Sequence, residues 1–267
     1  MKELLIRALS GSIYVLILLA ATFLSPITFL ILFTLLGIVC LNEFLRLIHL
    51  KSVVLYAILI LFIFLFSYLQ FDFYATKLLL VLTGFVNLFL LKDLLWVSMI
   101  PMFEKKKYIV TVLYLISGFV FITLIPFYNY EYSPYLIAAV FILVWANDIF
   151  AFLIGKNFGK RKLLERVSPN KTLEGFFGGM VAASVASFFI FKYLAIFNPI
   201  FWFGLAILIS LFGPIGDFVQ SKFKRQAGVK DSGTLIPGHG GVYDRLDSVI
   251  FASPFIYTYF ILANYVS

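Results

Sequence analysis

Long apolar segments, separated by short polar ones, constrain this chain more than any other feature. Apolar residues make up 63% of its 267 residues and charged residues only 13%, whereas soluble domains contain about 25% charged residues. A helix needs roughly 20 apolar residues to cross the hydrocarbon core of a bilayer. Because several segments approach this length and are apolar throughout, rather than alternating with a period of two, they predict membrane helices and not a β-barrel.

The sequence therefore predicts an all-α polytopic integral membrane protein. Residues 1–130 contain the first group of helices and no catalytic motif, and residues 131–267 form a catalytic region with two cytoplasmic loops. We predict nine transmembrane helices, over residues 9–25, 27–43, 53–70, 75–91, 109–128, 134–155, 174–196, 199–220 and 248–265.

The basic residues predict how these helices are oriented. If the N-terminus is cytoplasmic, all 21 lysines and arginines, Lys2 and Arg7 included, lie on the cytoplasmic side except Lys77 and Lys192, as the positive-inside rule requires. We therefore expect a multi-pass protein of the inner (plasma) membrane with its active site facing the cytoplasm. This bias also explains most of the net charge of +8, so no nucleic acid is expected as a partner.

A polar segment, Ser221–Asp247, lies between the last two apolar segments. Asp217 precedes it near the inner end of a predicted helix, and Ser221, Lys224 and Arg225 follow on the same helix face. An ionisable residue within a membrane span is costly and usually functional. We interpret Asp217 as a metal ligand and the two cations as phosphate ligands. The alternative is an ion pair that only holds the helix end.

The middle of this segment is a glycine-rich loop, Pro237–Gly241. Glycines allow backbone N–H groups to approach an anion closely, and His239 can donate to a phosphate oxygen. The alternative is a flexible turn with an exposed histidine.

Asp244 and Asp247 follow this loop at a predicted helix start, three residues apart and on one face. Carboxylates from different helices make the oxygen site that magnesium prefers. Capping of the helix is the alternative for both residues, and it is stronger for Asp247.

Two upstream elements carry further candidates. Asp148 lies in the interior of a predicted helix, and we expect it to be the most buried acidic candidate and either a site ligand or a hydrogen-bonding partner of a neighbouring helix. Ser168 or Thr172 can cap the next helix, with Glu174 in support. Lys171 is placed to hold a phosphate against that helix N-terminus.

These residues resemble a known family. The pattern Ser221-x2-Lys224-Arg225-x4-Lys230-Asp231-x5-Pro237-x-His239-Gly240-Gly241-x2-Asp244-Arg245-x-Asp247 resembles the signature of phosphatidate cytidylyltransferases, also called CDP-diacylglycerol synthases. Ser168-Pro169-x-Lys171-Thr172-x-Glu174-Gly175 and Asn147-Asp148 are similar to two upstream elements of that family. The resemblance covers roughly residues 140–250.

The resemblance implies a metal-dependent reaction of CTP with phosphatidic acid that gives CDP-diacylglycerol and pyrophosphate for phospholipid synthesis. It implies magnesium as the cofactor and leaves room for a second cation. The expected catalytic residues are Asp217, Asp244, Lys224, Arg225 and His239, and the expected metal ligands are Asp217, Asp244, Asp148 and Asp247. The expected substrate-binding residues are Ser168, Lys171, Thr172, Glu174, Ser221, Lys230, Gly240, Gly241 and Arg245.

Two other functions fit parts of the sequence. A CTP-dependent polyprenol or phytol kinase has related motifs but would transfer the terminal phosphate and release CDP. A transporter of an anion or a lipid would also use intramembrane Asp148 and Asp217, although no internal repeat is evident and the charges cluster on one side. The sequence leaves open whether the chain forms a homodimer.

Overall fold

The computed structural model describes residues 2–266, with side chains for residues 9–263. These residues form ten α-helices and one short hairpin. The helices are α1 (Lys2–Leu24), α2 (Pro26–Leu47), α3 (Val54–Phe62), α4 (Phe73–Trp96), α5 (Glu104–Val110), α6 (Ser117–Leu124), α7 (Pro134–Phe158), α8 (Leu173–Leu194), α9 (Pro199–Gln226) and α10 (Tyr243–Val266). π-Helical segments continue α3 over Ile63–Tyr68 and join α5 to α6 over Thr111–Ile116, and a 3₁₀ turn, Ile125–Phe127, ends α6.

The helical membrane fold expected from the apolar segments is confirmed. In the described part of the chain, seven helical segments are long and apolar enough to cross a membrane, and two shorter apolar helices, Leu9–Leu24 and Val54–Tyr68, correspond to the other predicted spans. The chain is therefore a multi-pass membrane protein. Two of the basic residues used for the orientation, Lys2 and Arg7, have side chains outside the described residues.

The polar ends of two helices extend further than predicted. α9 continues to Gln226 rather than ending near residue 220, and α10 begins at Tyr243 rather than near residue 248. Charged residues at these ends lowered the apolar signal, although the backbone remains helical there. Lys224, Asp244 and Asp247 therefore lie on helices, as their spacing predicted.

A short antiparallel hairpin, β1 (Lys162–Leu164) and β2 (Ser168–Thr172), lies between α7 and α8 and was not predicted. β2 leads directly into α8. There the Thr172 hydroxyl accepts a hydrogen bond of 3.1 Å from the Gly175 N–H, so Thr172 is the N-cap. The hairpin thus places Lys171 next to the first turn of α8.

Helices from both parts of the chain share one core. α10 packs against α6 as well as α9, and the buried hydroxyls of Tyr114 and Tyr243 are 2.8 Å apart. The ring of Phe44 on α2 lies 5.3 Å from that of Phe223 and 5.8 Å from that of Tyr243. The division near residue 130 stays a prediction, but the packing is continuous across it.

The contact between α9 and α10 is close where the acidic residues lie. A Cβ at Gly216 would come within 2.5 Å of the Asp247 carbonyl oxygen and 2.7 Å of the Phe251 Cβ. Only glycine lets the two backbones approach this closely. This close packing brings Asp217 on α9 beside Asp247 on α10.

Candidate active site

One cavity contains most of the charged residues that the sequence singled out. It has a volume of about 1000 Å³ and lies between α1, α7, the β1–β2 hairpin, α8, α9, α10 and the loop before α10. The predicted site residues that line it are Asp148, Ser168, Lys171, Thr172, Asp217, Lys224, His239, Asp244, Arg245 and Asp247. The two polar loops therefore meet at a single site.

Asp217 and Lys171 form an ion pair inside this cavity. The Lys171 ammonium donates to one carboxylate oxygen of Asp217, and the Ser221 hydroxyl donates to the other at 3.1 Å. The hydrogen bond from Ser221 confirms that positions 217 and 221 share one face of α9. The ion pair joins Lys171, just before α8, to α9, whereas the alternative in the sequence was an ion pair that only holds the end of α9.

Several carboxylates surround Lys171. Burial by itself would lower the pKa of the lysine, but Asp217, followed by Asp148 and Asp247, outweighs burial and raises that pKa above its ordinary value. The ammonium group therefore stays protonated through neutral pH. A cation held at this position can neutralise a phosphate that enters among the carboxylates.

Asp247 and Asp148 present their carboxylates differently. Asp247 is 7% exposed, and the Ser248 N–H is its only hydrogen-bond donor among the described residues, at 2.8 Å. Asp148 was expected to be the most buried acidic candidate, and this is wrong. It lies deep among the helices, but its side chain faces the cavity and is exposed. The sequence of an apolar helix does not show which of its faces lines a cavity, so the exposure of Asp148 did not follow from the sequence.

The carboxylate of Asp244 is already saturated with donors. Its Oδ1 accepts from Lys224 Nζ at 2.7 Å and from Gln220 Nε2 at 3.1 Å. Its Oδ2 accepts from the Ser232 N–H at 2.8 Å and the Gly241 N–H at 2.9 Å, and the Ser232 hydroxyl oxygen lies 3.0 Å from it. A carboxylate offers about four lone-pair positions, so a metal at Asp244 would have to displace one of these donors.

The glycine-rich loop forms a tight turn at the cavity mouth. The Ile236 and Gly240 backbones pair, and the His239 N–H donates to the Ile236 carbonyl at 2.9 Å. The His239 ring is 2.9 Å from the Ser10 hydroxyl on α1, and Arg245 donates to the His239 carbonyl at 2.9 Å. The loop is ordered by these contacts, which the flexible-turn alternative did not anticipate.

Some of the predicted site residues do not line the cavity. Arg225 and Lys230 are exposed, and Ser221 reaches the site only through Asp217. Glu174 accepts hydrogen bonds from the N–H groups of Lys160 and Arg161 at 3.0–3.2 Å, so it fixes the hairpin. Gly240 and Gly241 lie behind the cavity wall.

The first part of the chain contributes residues that the sequence reading missed. Tyr14 on α1 lines the cavity, and its buried hydroxyl has no hydrogen-bond partner among the described residues. Glu43 on α2 is 5% exposed and contacts the loop before α10. The sequence did contain a signal for Glu43, because it is an acidic residue at the end of a predicted membrane helix. Such a residue is energetically costly there and is usually functional.

The carboxylate oxygens of the acidic residues decide whether the cavity can hold magnesium. No group of three or more histidine, cysteine, aspartate or glutamate side chains in the described part of the chain is arranged to hold a metal ion. Magnesium in nucleotide enzymes commonly takes one or two carboxylates and completes its shell with water and substrate phosphates. Asp217, Asp247 and Asp148 are oxygen donors that line one cavity and fit this requirement.

Comparisons with known proteins identify the family. The model of the cytidylyltransferase family matches residues 5–263. The phosphatidate cytidylyltransferase of Staphylococcus aureus (strain COL) is 47% identical over 118 residues, which are 43% of this chain and 45% of the relative. That of Bacillus subtilis (strain 168) is 46% identical over 124 residues, 46% of this chain and 45% of the relative. The aligned region thus spans less than half the length of these curated relatives.

Proposed function

The chain belongs to the cytidylyltransferase family, and we propose that it is a phosphatidate cytidylyltransferase, which makes CDP-diacylglycerol and pyrophosphate from CTP and phosphatidic acid. The observation that carries the proposal is the cavity in which Lys171 and Lys224 lie among the carboxylates of Asp148, Asp217 and Asp247. The cavity lies toward the ends of helices that are long and apolar enough to span a membrane, and we propose that the lipid phosphate enters it there.

The reaction requires positioning and charge neutralisation more than a nucleophilic side chain. An oxygen of the phosphatidate phosphate attacks the α-phosphorus of CTP and forms the new P–O bond. The bond from the α-phosphorus to the bridging oxygen breaks, and pyrophosphate leaves with the electron pair. Because the attacking phosphate is already an anion, no activated serine and no covalent enzyme intermediate are needed.

The lysines of the cavity supply the positive charge. Lys171 and Lys224 are held by Asp217 and Asp244, so their ammonium groups are oriented before substrate binds. An incoming phosphate competes for donors that already point into the cavity, and little reorganisation is needed. Arg245 and His239 at the mouth are positioned to contact the more exposed phosphates of CTP.

Magnesium would be held by one or two of the cavity carboxylates of Asp217, Asp247 and Asp148, with water and substrate phosphates completing its shell. When bound there, magnesium neutralises charge on the phosphates of CTP and draws electron density from the α-phosphorus. Asp244, which the sequence also suggested as a ligand, instead holds Lys224 and the loop residues Ser232 and Gly241. We therefore assign Asp244 to ordering the site.

The orientation with the site in the cytoplasm is part of the proposal, because CTP is a cytoplasmic nucleotide. It can be tested with single cysteines, since Cys40 is buried. Lys230→Cys on the exposed loop should react with a membrane-impermeant maleimide only after the cytoplasmic side is opened. Tyr130→Cys, whose parent residue is 67% exposed at the opposite ends of the helices, should react from outside. The reverse pattern would overturn the orientation.

The activity is tested with purified protein in detergent micelles containing magnesium, CTP and phosphatidic acid. Pyrophosphate release should require both substrates, and one CDP-diacylglycerol should form for each pyrophosphate. Omission of either substrate is the control. Release of CDP instead of pyrophosphate would indicate the kinase chemistry and would overturn the assignment.

A further inference from the structure

The side chain of Glu43, on α2 in the first group of helices, contacts the loop that precedes α10. Its Oε2 accepts from the Tyr243 N–H at 2.8 Å and from the Ser232 hydroxyl at 2.9 Å, and its Oε1 accepts from the Val242 N–H at 3.1 Å. Among the described residues no cation forms an ion pair with it. The carboxylate is therefore held by a hydroxyl and by the first N–H groups at the start of α10.

These contacts satisfy backbone N–H groups for which the loop itself has no acceptor. The first N–H groups of a helix have no partner within the helix and need an acceptor, and a negative charge is favourable there. Gly241 and Val242, which precede α10, have no side chain that can accept. Glu43 supplies the acceptor from a helix about 200 residues earlier in the chain.

The loop leaves space for this carboxylate. A Cβ at Gly233 would lie 2.4 Å from Glu43 Oε1, and a Cβ at Gly241 would lie 2.4 Å from Glu43 Oε2. Both contacts are far shorter than van der Waals distance, so neither position accepts a side chain while Glu43 is in place. Gly241, expected to approach a substrate anion, is thus required for the approach of Glu43.

Ser232 links Glu43 to the active site. Its hydroxyl lies 2.9 Å from Glu43 Oε2 and 3.0 Å from Asp244 Oδ2, and its N–H donates to the same oxygen of Asp244. Asp244 in turn holds Lys224. Two carboxylates, one from α2 and one from α10, therefore hold the loop between Ser232 and Tyr243.

We infer that Glu43 is a positioning residue for the transfer reaction, which fixes the Ser232–Tyr243 loop and the start of α10 so that His239, Lys224 and Asp247 face the cavity. It does not line the cavity itself. Its effect should thus appear in the rate of the bound complex and in the order of the loop. The turnover part of this inference rests on the proposed function, whereas the loop order does not.

The test compares Glu43→Gln with a matched control, Asp93→Asn. Asp93 is also a buried acid of the first part of the chain, 8% exposed, but it pairs with Lys106 away from the cavity. For Glu43→Gln we expect kcat to fall at least tenfold, KM for CTP to change less than threefold, and amide hydrogen exchange in residues 231–242 to accelerate at least tenfold. Asp93→Asn should leave kcat within twofold and exchange in that loop unchanged.

Equal kcat values and equal loop exchange in the two variants would overturn the inference. If Glu43→Gln does not accumulate as folded protein, Ser232→Ala tests the same link, because it removes only the bridging hydroxyl. We expect Ser232→Ala to lower kcat about threefold and to accelerate hydrogen exchange in the loop. Unchanged kcat and unchanged loop exchange in Ser232→Ala would also overturn the inference. Should the wild-type protein make no CDP-diacylglycerol, the proposed function fails, while the exchange measurement still decides whether Glu43 orders the loop.

Discussion

The helices before residue 130 and those after it use polar residues in different ways. After residue 130 the charged residues Lys171 on β2 and Lys224, Asp217 and Asp247 on α9 and α10 line the cavity directly. The earlier helices are mainly packing elements, and every residue of α6 is buried. Their polar contributions to the site are few and come from Ser10, Tyr14 and Glu43.

This difference shows two ways in which a membrane protein builds a polar site. The charged residues that line the cavity are concentrated toward one end of the helices, where clusters of charge can be hydrated. Residues that order the site are buried singly on apolar helices and act through the backbone of other segments. Substitutions of the charged cavity residues and of the residues that order the site should therefore have different effects on activity.

The largest effect is expected from Asp217→Asn, at the centre of the charged group. The variant loses the charge that pairs with Lys171 and a proposed magnesium ligand. We expect kcat/KM for CTP to fall more than a hundredfold, about 2.7 kcal/mol in the barrier, with normal accumulation in the membrane. Turnover above a tenth of the wild-type rate would contradict this role, and Asp93→Asn serves as the control.

Lys171→Met should have the next largest effect. It removes the cation that Asp217, Asp148 and Asp247 surround, so a bound phosphate would face uncompensated carboxylates. We expect kcat/KM to fall about thirtyfold, on the order of 2 kcal/mol, measured as pyrophosphate release. The control is Lys192→Met, at an exposed position outside the cavity, which should behave as wild type. Similar rates for the two variants would remove Lys171 from the site.

Gly233→Ala tests the contact between Glu43 and the loop without replacing a charged residue. The added Cβ would meet Glu43 Oε1 at 2.4 Å, so the loop or Glu43 must move, and we expect kcat to fall about tenfold, or about 1.4 kcal/mol. Gly84→Ala is the matched control, because no atom lies within 4 Å of its Cβ, and alanine favours the helix. A Gly233→Ala enzyme with wild-type kcat would show that the fit between Glu43 and the loop is unimportant.

Tyr14→Phe should have the smallest effect and a distinctive pattern. Its hydroxyl is buried at the cavity without a partner among the described residues, so its removal loses no protein hydrogen bond. We expect Tm to be unchanged and KM for CTP or phosphatidic acid to rise about threefold, about 0.7 kcal/mol. Tyr132→Phe should do the reverse and lower Tm only, because that hydroxyl donates to the Thr22 carbonyl at 2.7 Å. Unchanged KM values for Tyr14→Phe would exclude a substrate contact.

The parts of this molecule that follow from local pattern were predictable. Apolar length indicated the helices, and the spacing of Asp217 and Ser221 placed both on one face, as their hydrogen bond shows. A cap at Ser168 or Thr172 followed from their position before an apolar segment, and Thr172 is the N-cap of α8. Each of these depends on residues close together in the chain.

The parts that depend on distant packing were not predictable. The pairing of Lys171 on β2 with Asp217 on α9 joins residues 46 positions apart, and Glu43 contacts residues about 200 positions away. The exposure of Asp148 depends on which face of α7 meets the cavity. The β1–β2 hairpin is too short for a periodic signal. A single sequence records the residue types at these positions but not their neighbours.

The central claim is that the cavity brings a lipid phosphate into contact with the α-phosphorus of CTP. The most direct test uses CTP labelled on the α-phosphate and, in parallel, on the γ-phosphate, with phosphatidic acid and purified protein. We expect the α label to enter the lipid product, the γ label to leave as pyrophosphate, and Asp217→Asn to abolish both. Transfer of the γ label to lipid, or equal labelling by Asp217→Asn, would contradict it.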